Sequence, residues 1–583
     1  MTDDQPASTT SPRHPSPGPR PTRRRLIAAA GAAAMTWTPA FRLDAHAVGA
    51  PAPPGFPPGI RLVRQAFRNW SGEIVLDAVW TALPAGPADV VTLADWARAQ
   101  GWRLRAKGMG HTWTPFMAPP GRSPRLVLVD TTEGLTAISL SGGAPATVTA
   151  QAGATMDAIH TALEHAGYGL VGTPAIGDLT VAGGLAIGAH GTGVPDAGRP
   201  APAGTGFGTM SDLVESLTAV VWDARAGRHT LRTFHRGEAD TPAFLLPLGR
   251  TFVTEVTLRT PANVRLRCRS RTDIPASELF GAPGSTGRTL ARHLADTGRV
   301  EVIWFPYTEQ PWLKQWSVEP QQPPGSRRID RPYPYPFTDR VPEGASNLFR
   351  DLQRGLAAAT PAFMAALAGA ATAGLTLTNS WDLWGWSKNT VLYMRPTTLR
   401  YFFAGWTVLC ARADVQRVVH DFWQRFTKDL AAYAERGVFP VNGLVDIRIT
   451  GTDGGGRGAA GAPPILSPAR FREDRPDWDT AVWFNSTTFP GTVGSTEFHR
   501  GLEQWALSHY SGWSQLRPEW SKGWAFGQDG PWTDRPLIEK GWPDAFRAGR
   551  GAGSRWEDAV AVLDRHDPAR VFSSPLLDHL LTT

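Results

Sequence analysis

The sequence predicts an α+β protein of at least two layered domains, and three observations carry that prediction. Its 583 residues exceed the roughly 250 to 300 at which a single core stops growing. Hydrophobic residues at 42% and charged residues at 19% place it among folded globular chains, so core burial has to supply the stability. Segments with strand and helix patterns alternate over residues 88 to 260, as in a sheet covered by helices.

Residues 1–21 are rich in Ser, Thr and Pro and cannot bury enough apolar surface to order themselves. They precede Thr22-Arg23-Arg24-Arg25-Leu26-Ile27, an uncharged Ala-rich run over 28–40, and Ala45-His46-Ala47. A positive segment, a short apolar segment and a small-x-small site make residues 1–47 read as a bacterial export signal, and the paired arginines point to the twin-arginine route. The mature protein is then expected to be secreted or periplasmic. The plainer reading is a basic tail.

From Ala88 to Gln100, apolar positions recur at helical spacing and Gly101 stands where a helix would stop. Strands are predicted over 102–106, 125–129 and 146–150, then a helix over 155–166 capped by Thr155, then strands over 213–222 and 252–258. Residues 320–342 are Pro-rich and read as a loop. Beyond it a strand is predicted over 389–394, a long amphipathic helix over 414–436 closed by Gly437, and a strand over 444–450. The uncharged run 355–380 has the length of a membrane span, but Pro361 and its many small and polar residues favour a helix of a soluble protein. A second reading is a surface that touches lipid transiently.

Composition excludes some partners. Part of the formal +7 comes from six arginines against three aspartates within residues 1–47, and few basic runs follow, so a nucleic-acid partner is not expected. Two cysteines, Cys268 and Cys410, permit at most one disulfide and cannot build a Cys-rich zinc site, and no metal is expected. The 24 tryptophans predict large flat apolar surfaces, most of them ordinary core. Nothing in the sequence speaks to oligomeric state.

Two glycine segments carry the chemistry. In Lys107-Gly108-Met109-Gly110-His111-Thr112-Trp113, the glycines let backbone approach a ligand with an imidazole held beside it. In Gly172 to Gly191, successive glycines expose N–H groups that can cradle a pyrophosphate. A Gly-x-Gly-x-x-Gly match at Gly456, Gly458 and Gly461 is read as a loop, because Pro463 and Pro464 forbid the helix that should follow.

Together with Leu248-Gly249-Arg250, these segments resemble the FAD-binding domain of the vanillyl-alcohol oxidase family. Four further strings, Asn69-Trp70-Ser71-Gly72, Ala219-Val220-Val221-Trp222, 382–388 and 517–527, resemble the secreted, covalently flavinylated (type II) cholesterol oxidases. The resemblance implies a two-domain flavoprotein: an FAD-binding domain of two α/β subdomains over 48–262, an α/β substrate cap over 263–544, and a C-terminal segment, 545–583, returning to the FAD domain. It implies FAD joined covalently to His111. Gly108, Met109, Gly110, Thr112, Pro174, Gly177, Asp178, Thr180, Val181, Gly183, Gly184, Gly188, His190, Gly191 and Val253 are the other expected cofactor residues.

The implied reaction oxidises the 3β-hydroxyl of a sterol to a ketone, moves the ring double bond from Δ5 to Δ4, and reduces dioxygen to hydrogen peroxide. Glu301, Asp446, Arg448, Asn485 and Lys522 are the implied catalytic residues, with Glu301 as the carrier in the double-bond shift. The family usually has glutamate where Asp446 stands. Read without the resemblance, Asp446 with Arg448 is a structural ion pair, Glu301 a solvent-facing strand residue, Lys522 a surface lysine and His190 structural. The same scaffold could serve another alcohol, a sugar or a lactone, and a colourless lipid- or carbohydrate-binding protein is the non-enzymatic alternative.

Overall fold

The computed structural model describes residues 51–119, 125–195, 201–335, 343–392, 400–454 and 461–582. The leader 1–47, with Gly456 and Gly458 of the dismissed glycine match, lies outside them.

Two sheets build the first domain. The first contains β1 (Arg61–Arg68), β2 (Val75–Leu83), β3 (Arg103–Lys107) and β4 (Leu126–Asp130), in the order β1-β2-β4-β3. β2, β4 and β3 run parallel, which requires a crossover, supplied by the helix Pro87–Gln100. That helix ends where Gly101 takes φ 66° and donates its N–H to Ala97. Its apolar stripe, Val90, Leu93, Ala94 and Ala97, packs on Leu104, Val127 and Val129. The second sheet orders β5 (Ile138–Ser141), β6 (Ala146–Gln151), β7 (Val214–Asp223), β8 (Arg228–His235) and β9 (Phe252–Thr260) as β5-β6-β9-β7-β8, all antiparallel. The helix Met156–His165 follows β6, with the Thr155 side chain accepting from the Ala158 N–H.

A nine-stranded sheet forms the second domain. Its strands are β10 (Arg265–Arg271), β11 (Val300–Trp304), β12 (Trp312–Val318), β13 (Arg327–Arg328), β14 (Asp382–Trp386), β15 (Phe402–Cys410), β16 (Val445–Gly451), β17 (Thr480–Thr488) and β18 (Gln515–Pro518). Their order is β13-β14-β10-β12-β11-β16-β17-β15-β18. β15 and β17 are buried at almost every position, which explains why they read as apolar runs and not as alternating strands. The helix Val415–Glu435 lays Val418, Val419, Phe422 and Phe426 on this sheet, with the Phe422 and Phe484 rings stacked at 3.9 Å. The uncharged run holds the helix Thr360–Leu377, whose inward side is Met364, Ala368, Ala371 and Leu375.

One predicted strand is wrong. Residues 387–391 form a short helix, and 393–399 are not among the described residues. The β-branched pair Thr390-Val391 suggested a strand. Tertiary contacts override it: Ser387 donates to Asn263, Lys388 reaches Thr161 on the first domain, and the Trp316 indole donates to the Thr390 carbonyl. The Pro-rich loop also contributes the two-residue β13, parallel to β14. Cys268 and Cys410 are both buried and free.

The end of the chain packs on the first domain. Val571 and Phe572 join the core under the Pro87–Gln100 helix, and the Leu104 N–H donates to the Val571 carbonyl. Arg250, almost fully buried, places Nη1 2.6 Å from Asp567 Oδ2 and Nη2 2.7 Å from Asp564 Oδ1. Asp567 also accepts the backbone N–H groups of Val571 and Phe572. A buried guanidinium is tolerable when carboxylates meet its terminal nitrogens in this way.

Candidate active site

A cavity of ≈ 340 Å³ extends from the glycine segments of the first domain to the middle of the nine-stranded sheet. At its first-domain end the turn after β3 is anchored by an ion pair between Lys107 and Asp130. A Cβ on Gly108 would lie 2.3 Å from Thr180 Oγ1, so glycine is required for the turn and the second segment to touch. Gly110 takes φ +73°, which delivers His111 to the cavity wall. The His111 ring stacks on Trp70 at 5.0 Å, and Arg400 lies over the other partner of that pair, 5.0 Å from the Trp70 ring.

His111 Nδ1 is buried and has no hydrogen-bond partner. Burial, aided by the charges of Lys522 and Arg400, pushes its imidazole down to about 4, so the ring is neutral at physiological pH. The second segment enters as the short helix Val181–Ala186, with Gly183, Gly184 and Gly188 on the wall.

A glycine-lined cleft beside a neutral, unpartnered imidazole fits a flavin dinucleotide. A Cβ on Gly108 or Gly183 would meet Thr180 Oγ1 and one on Gly188 would meet Leu246, so these glycines let the segments pack closely enough to form the cleft, and the free Nδ1 is a competent attachment point.

At the far end, neighbouring strands bring the charged residues together. Glu301 on β11 accepts from Arg448 of β16 at 2.7 and 2.9 Å, and from Lys314 of β12 at 3.1 Å. Arg448 Nη2 is also 3.1 Å from Asp446 Oδ2, while Asp446 Oδ1 is buried without a partner. The two carboxyls diverge. Burial raises Glu301, but Lys314 and then Arg448 outweigh it and hold it at about 2. Burial pushes Asp446 up to about 7, against the pull of Arg448 and with the charge of Glu301 adding to the rise.

On β17, Asn485 stands opposite Asp446 and donates to Glu519 Oε2 at 2.9 Å. Glu519 Oε1 lies 3.9 Å from Lys522 Nζ and 3.8 Å from His190 Nε2, and the His190 ring stacks on Trp483 at 3.6 Å. Lys522 is pushed down to about 8, chiefly by burial. A Cβ at Gly405 would come within 2.6 Å of Lys522 Cγ, so that glycine opens the space the lysine uses.

The cavity wall includes Gly108, Met109, Gly110, His111, Thr112, Pro174, Thr180, Gly183, Gly184, Gly188, His190 and Val253, and also Glu301, Asp446, Arg448, Asn485 and Lys522. Four expected cofactor residues are not on it. Gly177 turns its carbonyl to the Asp157 N–H, and Val181 is core, with its N–H on Ala154. Gly191 packs against the Thr173 backbone, and Asp178 also lies off the wall. Glu301 is not solvent-facing, being 7% exposed, and Lys522 is not a surface lysine.

Sequence reasoning missed Trp70 as a ring partner, Lys314 and Glu519. A lone lysine in the apolar strand Trp312–Val318 was the available signal for Lys314. Glu519 lies within the 517–527 segment, where its charge between Pro518 and Trp520 was the available signal.

The FAD binding domain family matches residues 80–225, and the cholesterol oxidase substrate-binding family matches residues 265–582. Among solved structures, a solvent-stable cholesterol oxidase is 46% identical with a TM-score of 0.89, covering 91% of this chain and 100% of its own. A cholesterol oxidase from Brevibacterium sterolicum is 40% identical with a TM-score of 0.88, covering 91% of this chain and 99% of its own. No curated protein sequence matches. Identity at this level over nine-tenths of the sequence, in both domains and in the same arrangement, means that the chain belongs to the cholesterol oxidase family.

Proposed function

We propose that the protein is an FAD-dependent sterol oxidase that converts a 3β-hydroxyl to a ketone, shifts the ring double bond from Δ5 to Δ4, and carries its flavin on His111. The observation that supports this best is the single cavity joining the His111 turn to the Asp446–Arg448–Glu301 cluster. Between those ends its wall is apolar, with Ile303, Phe305, Trp312, Leu367 and Phe403. Fused rings gain about 0.8 kcal/mol per buried CH₂ against such a surface.

When bound, FAD would accept the C3 hydride and pass the two electrons to dioxygen, giving hydrogen peroxide. The chain's own residues manage the protons and charge. Asp446 takes the hydroxyl proton, since its free Oδ1 and raised affinity for a proton suit a base that works near neutrality. Arg448 and Lys522 stabilise the negative charge that develops at the oxygen and the ring system. Glu301, with both oxygens engaged by cations, is a poor proton carrier, so the double-bond shift passes to Asp446 as well: it first releases the hydroxyl proton to water and, ionised again, takes the C4 proton and returns it at C6.

The test is a visible absorption spectrum of the purified protein before and after cholesterol is added without oxygen. A flavin spectrum that bleaches with cholesterol, and not with aliphatic alcohols or aldonolactones, is expected. Bleaching only with one of the latter would move the substrate class, and a colourless protein would end the reading.

We further propose that the helix Thr360–Leu377 rests on a lipid surface while sterol is collected. Its Leu367, Ala370 and Ala371 line the cavity, whereas Leu356 just before it and Leu377 at its end are 59% and 86% exposed. Changing Leu356 and Leu377 to Asp should weaken co-sedimentation with cholesterol-containing liposomes and leave oxidation of detergent-dispersed cholesterol intact. Unchanged liposome binding refutes the contact.

A further inference from the structure

In the registers of β12, β11 and β16, Glu301 stands directly across from Lys314 on one side and from Arg448 on the other. Directly opposed residues share one face of a sheet, so the two cations reach the same carboxylate. Each has its own oxygen: Lys314 Nζ donates to Oε2 at 3.1 Å, and Arg448 Nε and Nη2 donate to Oε1. Lys314 is 6% exposed, and its ammonium lies 4.5 Å from the Trp312 ring and 4.9 Å from the Tyr335 ring. A buried ammonium needs such compensation, and one carboxylate oxygen with two aromatic faces supplies it.

Arg448 is shared, because Nη2 also reaches Asp446 Oδ2 at 3.1 Å. Two buried carboxyls therefore compete for one guanidinium, and Lys314 is the charge that breaks the tie. We propose that Lys314 is a positioning residue of the reaction, which pins Glu301 as a permanent anion from the β12 side and leaves Asp446 as the carboxyl of the cluster that exchanges a proton.

This rests on the reading of Asp446 as the base. The other groups around Glu301 are Cys268 of β10 and Tyr335, both uncharged when protonated, and Arg299, which lines a small cavity with Glu301 and Arg448 while Lys314 and Arg448 are the cations that hold Glu301 down. Beyond Asp446 stand Glu519 and Lys522. None of these replaces the second cation. Without Lys314, Glu301 and Asp446 would share Arg448 alone, and one further proton would be held in the neutral range as a coupled pair.

The experiment compares wild type, K314R, K314M and K314M/E301Q as holoenzymes, by the pH dependence of kcat/KM with cholesterol and by pH titration of the flavin absorbance. Wild type and K314R are expected to lose activity toward acid with the slope of one proton. For K314M the midpoint should move up by about one pH unit or more, and a second proton should bind in a separate step at lower pH, because two like-charged carboxyls titrate apart. K314M/E301Q, which lacks both members of the pair, should return to one proton.

A K314M profile with the wild-type midpoint and slope and only a lowered plateau would overturn the proposal, as would a double variant that still shows two protons. The double variant leaves no unpaired buried charge at this position, so it decides the matter even where K314M accumulates poorly. A wild-type limb that survives Asp446→Asn would remove Asp446 as the base, while the comparison of K314M with the double variant would still report whether Lys314 holds Glu301.

Discussion

Asp446→Asn should lower the turnover number for cholesterol by about 10²- to 10⁴-fold, the range of a lost general base, with flavin content unchanged. The substitution preserves shape but removes the group that can take a proton. Glu301 cannot substitute, because Lys314 and Arg448 hold it at about 2 as an anion with both oxygens engaged. The sign of the pH dependence follows. Asp446 is pushed up to about 7 mainly by burial, and a base acts in its ionised form, so the wild-type rate should rise as pH passes upward through about 7. Peroxide release in the steady state, normalised to flavin, measures both effects. A rate independent of pH across that region, or an Asn variant with wild-type turnover, would remove Asp446 from the mechanism.

The second large effect concerns attachment of the cofactor. After acid precipitation the wild-type pellet should stay yellow, with a FAD-sized mass on a peptide containing His111. The His111→Ala pellet should be colourless and its flavin should appear in the supernatant. The physical basis is a neutral imidazole: burial, Lys522 and Arg400 push it down to about 4, and Nδ1 is free to act as a nucleophile. Because that nitrogen makes no hydrogen bond in the fold, the change removes the linkage with little cost beyond the stacking on Trp70. Flavin released from the wild type under the same treatment would refute the linkage and leave the fold untouched.

Asp446, at the position where the resemblance implies glutamate, acquires a structural context. Its carboxyl sits on β16 opposite Asn485 and reaches Arg448 at 3.1 Å within its own strand. The shorter side chain therefore still meets the guanidinium.

Much of the architecture was legible because it is local. The helix at 87–100 announced itself by apolar spacing and by Gly101, which adopts the left-handed φ that a helix stop requires. Thr155 capped its helix as read, and the strands β3, β4, β6, β7, β9 and β16 lie within a residue or two of their predicted bounds. The glycine turn before His111 was legible for the same reason, since close backbone approach demands the absence of Cβ wherever it occurs. Where packing outweighed local preference, reading failed: residues 387–391 are helical because Asn263, Thr161 and Trp316 hold them, and no neighbour in sequence reports those contacts.

The sequence by itself determined the layered α+β class, the two glycine segments and the identity of most charged groups that meet in the cavity. Tertiary structure alone decided which strands are neighbours, and with that the chemistry of those groups. Glu301 became a fixed anion because β12 and β16 flank β11 and bring one cation from each side. Asp446 is pushed up to about 7 because it is buried and shares its arginine with Glu301. Gly177, Asp178, Val181 and Gly191 left the cavity wall for the same kind of reason. Local chain geometry depends on adjacent residues, whereas a proton affinity depends on every charge and solvent boundary within several ångströms, and only the folded chain sets those.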